Sequence, residues 1–166
     1  LIEVGGIRVT SLRDTVLDLA RVLPPARGLA IADAAAQAKH VDPVTSTALI
    51  ERQRTQPSRR GLVRVRWVSA RMDAASESAG ESISRACIEW LGFETPELQR
   101  VFVYEDREYR GDFHFPSVGA IGESDGWGKY RLDEPEEAER ILREEKLRED
   151  CLRRNGHAIA RWTMSD

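Results

Sequence analysis

The sequence predicts an α/β or α+β protein whose second half follows the order α-β-β-β-α-β and whose first half is a small, mainly helical region. Two observations support this prediction. Three short strand-like runs follow one another in the second half, and a long charged helix pattern comes after them. The charge balance also changes: residues 1–75 hold 12 basic and 7 acidic residues, whereas residues 76–166 hold 13 and 21. We therefore expect a basic part over 1–75 and a sheet-containing part over 76–166.

The first part is expected to contain a hairpin and several helices. Residues 1–10 alternate around a Gly-Gly pair, which is typical of a short hairpin. Apolar residues then recur at helical spacing between prolines, which predicts helices over 11–23, 26–37 and 43–56. Asp42 is the expected cap of the third helix.

Seven arginines and no acidic residue lie between residues 52 and 71, a stretch expected to be helical at least in part. Such a cluster exceeds the mixed charge of a neutral surface and suits the binding of phosphates. Arg59, Arg60, Arg64 and Arg66 are therefore the candidate DNA contacts. The alternative is a solvated helix face without a ligand.

The second part is expected to follow a small, polar linker over 73–80. Ser78 and Glu81 have the spacing of a capping box, which predicts a helix over 78–91. The remaining elements are strands over 99–105, 109–115 and 120–124, a charged helix over 135–154, and a last strand over 157–163.

Four charged residues near the second and third of those strands form the candidate site. Asp112 and Glu123 meet if their strands pair as a hairpin, and Asp125 points the same way as Glu123 in an extended segment. Mg²⁺ prefers carboxylate oxygens, and a metal so held supplies the nucleophile and the charge compensation that phosphodiester cleavage needs. Lys129 follows a Gly-Trp-Gly turn that can bring its ammonium over the metal and offset charge in the transition state.

The segments DFHFP, GESDGWGKY and EKLREDCLRRNGHAIARWT together resemble the PD-(D/E)XK nuclease superfamily, in the branch similar to very-short-patch-repair endonucleases, over about 76–164. The resemblance implies a restriction-endonuclease-like fold, Mg²⁺ or Mn²⁺ as cofactor and DNA as substrate. It also implies Asp112 and Glu123 as metal ligands and Glu81 as an accessory acid, although the capping box alone also explains Glu81. The superfamily's lysine, two residues after the glutamate, is here Asp125. Either Lys129 takes its role, or the site binds without cutting.

A second resemblance covers residues 6–40, which are similar to the middle of actinobacterial proteins of the abortive-infection antitoxin type. Those proteins carry a winged helix ahead of the same nuclease-like end. This favours an alternative function: a DNA-binding regulator whose nuclease fold does not cleave. In a third interpretation, the acidic second half binds a basic protein partner.

Three further residues are secondary candidates. Glu145 and Arg148 lie in or beside the apolar stripe of the 135–154 helix, where a charge is costly unless it is paired. They either pair with each other or lean towards the metal site. His114 shares a face with Asp112 in a regular strand, so it either lines the site or simply packs.

Composition excludes several classes of protein. Two cysteines are too few for a disulfide framework or a zinc site, and no apolar run is long enough to span a membrane. No secretory signal is visible, so we expect a cytoplasmic protein of bacterial or phage-like origin. The chain opens without an initiator Met, inside a strand-like run, which fits a fragment or a processed chain. The oligomeric state is not predicted.

Overall fold

The computed structural model describes residues 1–37, 42–125 and 135–164, which form an α+β structure. The helices are α1 (Leu12–Val22), α2 (Pro25–Ala36), α3 (Ser46–Arg54), α4 (Leu62–Arg71), α5 (Ala79–Trp90) and α6 (Pro135–Arg154). The strands are β1 (Ile2–Val4), β2 (Ile7–Val9), β3 (Glu97–Tyr104), β4 (Arg107–Phe115), β5 (Ala120–Asp125) and β6 (Ala158–Thr163). The chain divides into two compact units, Leu1–Leu91 and Gly92–Asp166. In the described part, no helix combines the length and apolar character needed to cross a membrane.

The first unit is a helical bundle preceded by the β1–β2 hairpin. The Ala-rich helix α2 packs against α1, α4 and α5. Small residues permit this close packing: a Cβ added at Gly28 would lie 3.4 Å from the Cα of Ala20 on α1. Buried residues from four helices, among them Leu17, Leu49 and Val68, complete the core.

The arginine-rich stretch forms two helices rather than one. α3 ends at Arg54, and α4 begins after Gly61, whose φ of 70° is a left-handed conformation. A Cβ at Gly61 would lie 2.6 Å from the carbonyl oxygen of Arg21, so this position requires glycine. The prediction of a part-helical stretch is therefore confirmed.

The start of α3 differs from the sequence prediction. The Thr45 hydroxyl caps the helix and accepts the N–H of Ala48 at 3.1 Å, so the cap expected at Asp42 is wrong. The reason is tertiary. Val44 is buried and its N–H donates to the carbonyl of Ala35 at 2.9 Å, which holds the chain outside the helix up to that point.

Helix α5 belongs by its contacts to the first unit. It begins at the expected cap, where the Ser78 hydroxyl accepts the N–H of Glu81 at 3.1 Å. Its apolar face packs on α2, with Ala86 against Ala26 and Leu29. The division between the compact units therefore comes after α5, whereas the sequence analysis placed the boundary before it, at 75/76.

The second unit is a four-stranded mixed sheet with strand order β3-β4-β5-β6. β3, β4 and β5 are antiparallel neighbours, whereas β6 pairs parallel to β5. Helix α6 lies between β5 and β6 in the chain, and its Leu152 packs with Phe102 and Ile121 in the core. The strands and the helix predicted from the sequence are confirmed, with ends that differ by one or two residues.

Candidate functional site

The second unit contains a cleft of about 370 Å³ lined by residues from β4, β5, β6 and α6. Its polar lining consists of four carboxylates and three arginines: Asp112, Glu123, Asp125, Glu145, Arg110, Arg148 and Arg161. Three of the predicted site residues thus share one cleft with two of the secondary candidates. With all groups ionised, the seven charges sum to −1.

An interruption in the sheet positions Asp112. The β3–β4 ladder passes from Leu98–Phe113 to Arg100–Gly111 and leaves out the pair Gln99 and Asp112. Gln99 has a φ of 52°, a left-handed conformation that departs from the strand. On the other side of β4, the backbone pairing with β5 ends at Phe113–Gly122.

Beyond the end of this backbone pairing, the Asp112 side chain forms the next hydrogen bond between β4 and β5. It accepts the N–H of Ser124 at 2.9 Å. Asp112 lies opposite Glu123 if the β4–β5 register is continued, and Asp125 follows two residues later on the same strand. The side chains of Glu123 and Asp125 therefore project from the same face of β5.

Glu123 is the most enclosed carboxylate of the cleft, with its side chain 10% exposed. Arg148 of α6 donates to its Oε1. The Nε of Arg161 lies 3.0 Å from its Oε2, because Glu123 and Arg161 are register partners on the parallel strands β5 and β6. Two arginines from two different elements thus hold one buried carboxylate, which compensates the cost of removing it from water.

The ion pairs continue along α6. Arg148 also donates to Glu145 at 3.1 Å, and Arg161 contacts Glu145 and Glu149, the latter at 3.3 Å. The predicted Glu145–Arg148 pair is therefore present, and both residues also line the cleft. One turn of α6 and the strand β6 together supply the charges that surround Glu123.

These carboxylates keep both guanidinium groups charged. Burial lowers the pKa of Arg148, but hydrogen bonding to Glu123 and the charges of Glu123 and Glu145 raise it above its ordinary value. For Arg161, burial likewise lowers the pKa, and the charges of Glu123, Glu145 and Glu149 raise it by more. Both residues are therefore cations at neutral pH.

The donor chemistry of the cleft fits a hard divalent cation. Asp112, Glu123 and Asp125 offer only oxygen atoms, the ligand type that Mg²⁺ and Mn²⁺ prefer. Within the described residues, however, no three acidic, histidine or cysteine side chains are gathered closely enough to enclose a metal ion. The arginines occupy the Glu123 carboxylate instead, so a metal would have to displace at least one of them.

The other predicted site residues lie elsewhere or outside the described part. Glu81 is in the first unit, where its Oε2 accepts the N–H of Glu77 at 2.9 Å, one residue before the N-cap Ser78 whose N–H a capping box would bind. His114 does not line the cleft: its Nδ1 lies 3.0 Å from Glu97, and its ring packs edge-on against Phe102. Lys129 falls outside the described residues.

Of the four arginines proposed to contact DNA, one has a guanidinium group already bonded to the backbone, and three have exposed guanidinium groups. The Arg64 guanidinium donates to the carbonyl of Val22 at 2.9 Å, at the end of α1. Arg59, Arg60 and Arg66 are exposed, and within the described residues their side chains form neither ion pairs nor hydrogen bonds. These three present uncompensated positive charge on the first unit.

Sequence reasoning missed Arg161, which pairs with Glu123, Glu145 and Glu149. The alternation Ile159, Arg161 and Thr163 indicated that Arg161 shares a face of its strand with an apolar residue, and a charge on such a face needs a partner. That signal identifies an unusual arginine but not its partner, which depends on the β5–β6 register.

The chain was compared with protein-family models, with curated proteins and with solved structures, and no match was found in any of them.

Proposed function

We propose that the second unit is a Mg²⁺- or Mn²⁺-dependent phosphodiesterase of the endonuclease type that acts on DNA. The observation that carries this proposal is that Asp112, Glu123 and Asp125 line one cleft that also contains three arginines. Carboxylates suit a metal, and guanidinium groups suit the phosphate that the metal would activate.

The topology agrees with the proposal. A restriction-endonuclease-like core has the element order αβββαβ; the second unit supplies βββαβ, from β3 to β6, whereas the helix that precedes it in the chain, α5, packs in the first unit. Asp112 lies in the second strand of the sheet and Glu123 in the third, as the resemblance implies. Because one fold hosts many unrelated activities, the proposal depends on the residues of the cleft.

Each side chain has a role in this mechanism. Asp112, Glu123 and Asp125 would hold the metal, which when bound lowers the pKa of a coordinated water and polarises the phosphoryl oxygen. Asp112 is already oriented by the N–H of Ser124. The arginines counter the negative charge that grows on the phosphate oxygens as the nucleophile attacks.

Charge balance makes phosphate binding depend on the metal. The cleft carries a net charge of −1 without a divalent cation and +1 with one, given the seven charged residues that line it. A phosphodiester is therefore repelled in the first state and attracted in the second. This predicts DNA binding by the cleft only in the presence of a divalent cation.

The exposed arginines of the first unit would provide a second, metal-independent contact with DNA. Each phosphate they neutralise releases condensed counterions, so affinity falls with salt by about 0.9 log units per log unit of salt for each contact. Replacing Arg59, Arg60 and Arg66 with serine should reduce that slope by about 2 to 3, measured by fluorescence anisotropy at several salt concentrations. A slope that is unchanged would remove these arginines from the DNA interface.

A second candidate function is a DNA-binding regulator with a non-cleaving site. Two observations favour it: Asp125 occupies the position of the superfamily's lysine, and Glu123 is held by Arg148 and Arg161. In this case the cleft is a structural ion-pair cluster, and only the first unit binds DNA.

A plasmid-nicking assay with Mg²⁺ or Mn²⁺ separates the two functions. We expect the full chain to nick plasmid DNA in a metal-dependent way and expect D112N and E123Q to abolish nicking. E108Q is the matched control, because Glu108 is an exposed carboxylate on the same strand as Asp112. A wild-type chain that shifts DNA on a gel but never nicks it with either metal would establish the regulator instead. A chain that neither cuts nor shifts DNA at low salt would favour a protein partner.

A further inference from the structure

The cleft contains three arginines, although a metal bound by Asp112, Glu123 and Asp125 would not need them as ligands. A phosphodiester substrate needs a cation on its non-bridging oxygens, and the position of the expected lysine holds Asp125. Within the described residues, the guanidinium groups of Arg148 and Arg161 are the cations that pair with Glu123. These two arginines have different partners, and the difference indicates which of them can exchange its carboxylate partners for a phosphate.

Arg148 is bound to the fold as well as to the carboxylates. Its Nη2 donates to the backbone carbonyl of Arg110 at 2.7 Å, in addition to its bonds to Glu123 and Glu145. The carbonyl bond joins α6 to β4 and does not depend on the protonation or metal binding of any side chain. Arg148 therefore stays in place when the Glu123 carboxylate is withdrawn.

In the described part of the chain, the ion pairs of Arg161 are all with carboxylates, namely Glu123, Glu145 and Glu149. Its Nε is buried and 3.0 Å from Glu123, yet it donates no hydrogen bond, so the direction of the N–H does not match this acceptor. A buried donor without an acceptor costs free energy, which a correctly placed oxygen would recover. The planar guanidinium fork also matches two phosphate oxygens at once.

We propose that Arg161 is the phosphate-binding residue of this cleft. Arg161 stays paired with Glu123 until a divalent cation binds the Glu123 carboxylate. The inference rests on the proposed function of the cleft. Metal and phosphate then bind in sequence, because the cation releases the residue that receives the phosphate. Arg161 comes from β6, on the opposite side of Glu123 from Asp112 in the sheet, so metal and guanidinium would approach the phosphate from different sides.

The test measures two affinities of the full-length R161Q variant. Its affinity for Mg²⁺ alone, measured by isothermal titration calorimetry, should rise several-fold, because a competitor for Glu123 has been removed. Its affinity for a short labelled DNA duplex in Ca²⁺ should fall by about tenfold or more, because a charged hydrogen bond to phosphate has been lost. Ca²⁺ serves here as a cation that also takes carboxylate oxygens. The quantity compared is the gain in DNA affinity that Ca²⁺ produces, so that binding by the first unit cancels.

Two variants exclude other causes. R153Q removes an arginine that pairs with Glu149 at 2.6 Å but does not line the cleft, and it should leave both affinities unchanged. R161K keeps the charge without the fork and should have an intermediate DNA affinity in Ca²⁺. It also serves as the test if R161Q does not fold.

Three results would overturn the inference. In the first, R161Q or R161K binds DNA in Ca²⁺ as tightly as the wild type. In the second, R153Q changes both affinities as much as R161Q does, which would show a general effect of charge. These two leave the proposed function intact. In the third, the wild-type chain takes up no divalent cation, and the proposed function fails together with the inference.

Discussion

The substitution of Arg148 by methionine tests whether the ion pairs around Glu123 stabilise the second unit. Methionine retains most of the apolar stem of the side chain but removes three hydrogen bonds, to Glu123, to Glu145 and to the carbonyl of Arg110. The result is a buried glutamate, 10% exposed, that retains only Arg161 as a cationic partner.

The size of the effect follows from this geometry. Removing one partner of a buried ion pair costs about 3–5 kcal/mol when the other charge is left alone. Since Arg161 remains beside Glu123, we expect R148M to lower the free energy of unfolding by about 2–3 kcal/mol. In a unit of this size, that corresponds to a fall in the unfolding midpoint on the order of 10 °C.

The assay is urea denaturation followed by circular dichroism, with hydrogen exchange to assign the lost protection to β4, β5 and β6. R143M is the control, because Arg143 is an exposed residue of the same helix and does not line the cleft. An R148M variant as stable as R143M would refute the reasoning. It would mean that the free-energy cost of desolvating Arg148 cancels the free energy gained from its ion pairs. The folded position of Glu123 would then not depend on those ion pairs.

Three further predictions concern positions outside the cleft lining. G122A should destabilise the second unit by about 1–2 kcal/mol in urea denaturation, because the new Cβ would lie 2.5 Å from the Trp162 ring; combining it with W162F should recover much of the loss. E89Q should cost about 0.5 kcal/mol at pH 7, because the hydrogen bond from Arg71 lowers the pKa of this half-exposed carboxyl. A lowered carboxyl pKa stabilises the fold above its ordinary value of 4.5, so the difference between E89Q and the wild type should shrink as the pH falls below that value; a difference that grows in acid would contradict it. S78A should cost the first unit about 1 kcal/mol by removing the cap of α5, and S78D should cost less; equal losses would exclude the capping role.

Local patterns were sufficient for most of the secondary structure. Alternation predicted the strands and helical spacing predicted the helices, because both periods depend on side chains a few residues apart. The cap at Ser78 was predictable for the same reason, since its partner is only three residues away. The cap expected at Asp42 was wrong, because a backbone bond between Val44 and Ala35 holds the chain extended there.

The sequence alone placed Asp112, Glu123 and Asp125 on neighbouring strands, since a short turn joins β4 to β5 and hairpin register follows from the turn. Only the tertiary structure decided what surrounds them. Arg161 comes beside Glu123 through a parallel pairing that α6 separates by more than thirty residues, and the contact of Arg148 with Arg110 depends on how α6 packs on the sheet. Such contacts join distant segments whose register depends on the packing of the whole unit. For that reason, the sequence indicated the carboxylates of this site and the structure supplied its arginines.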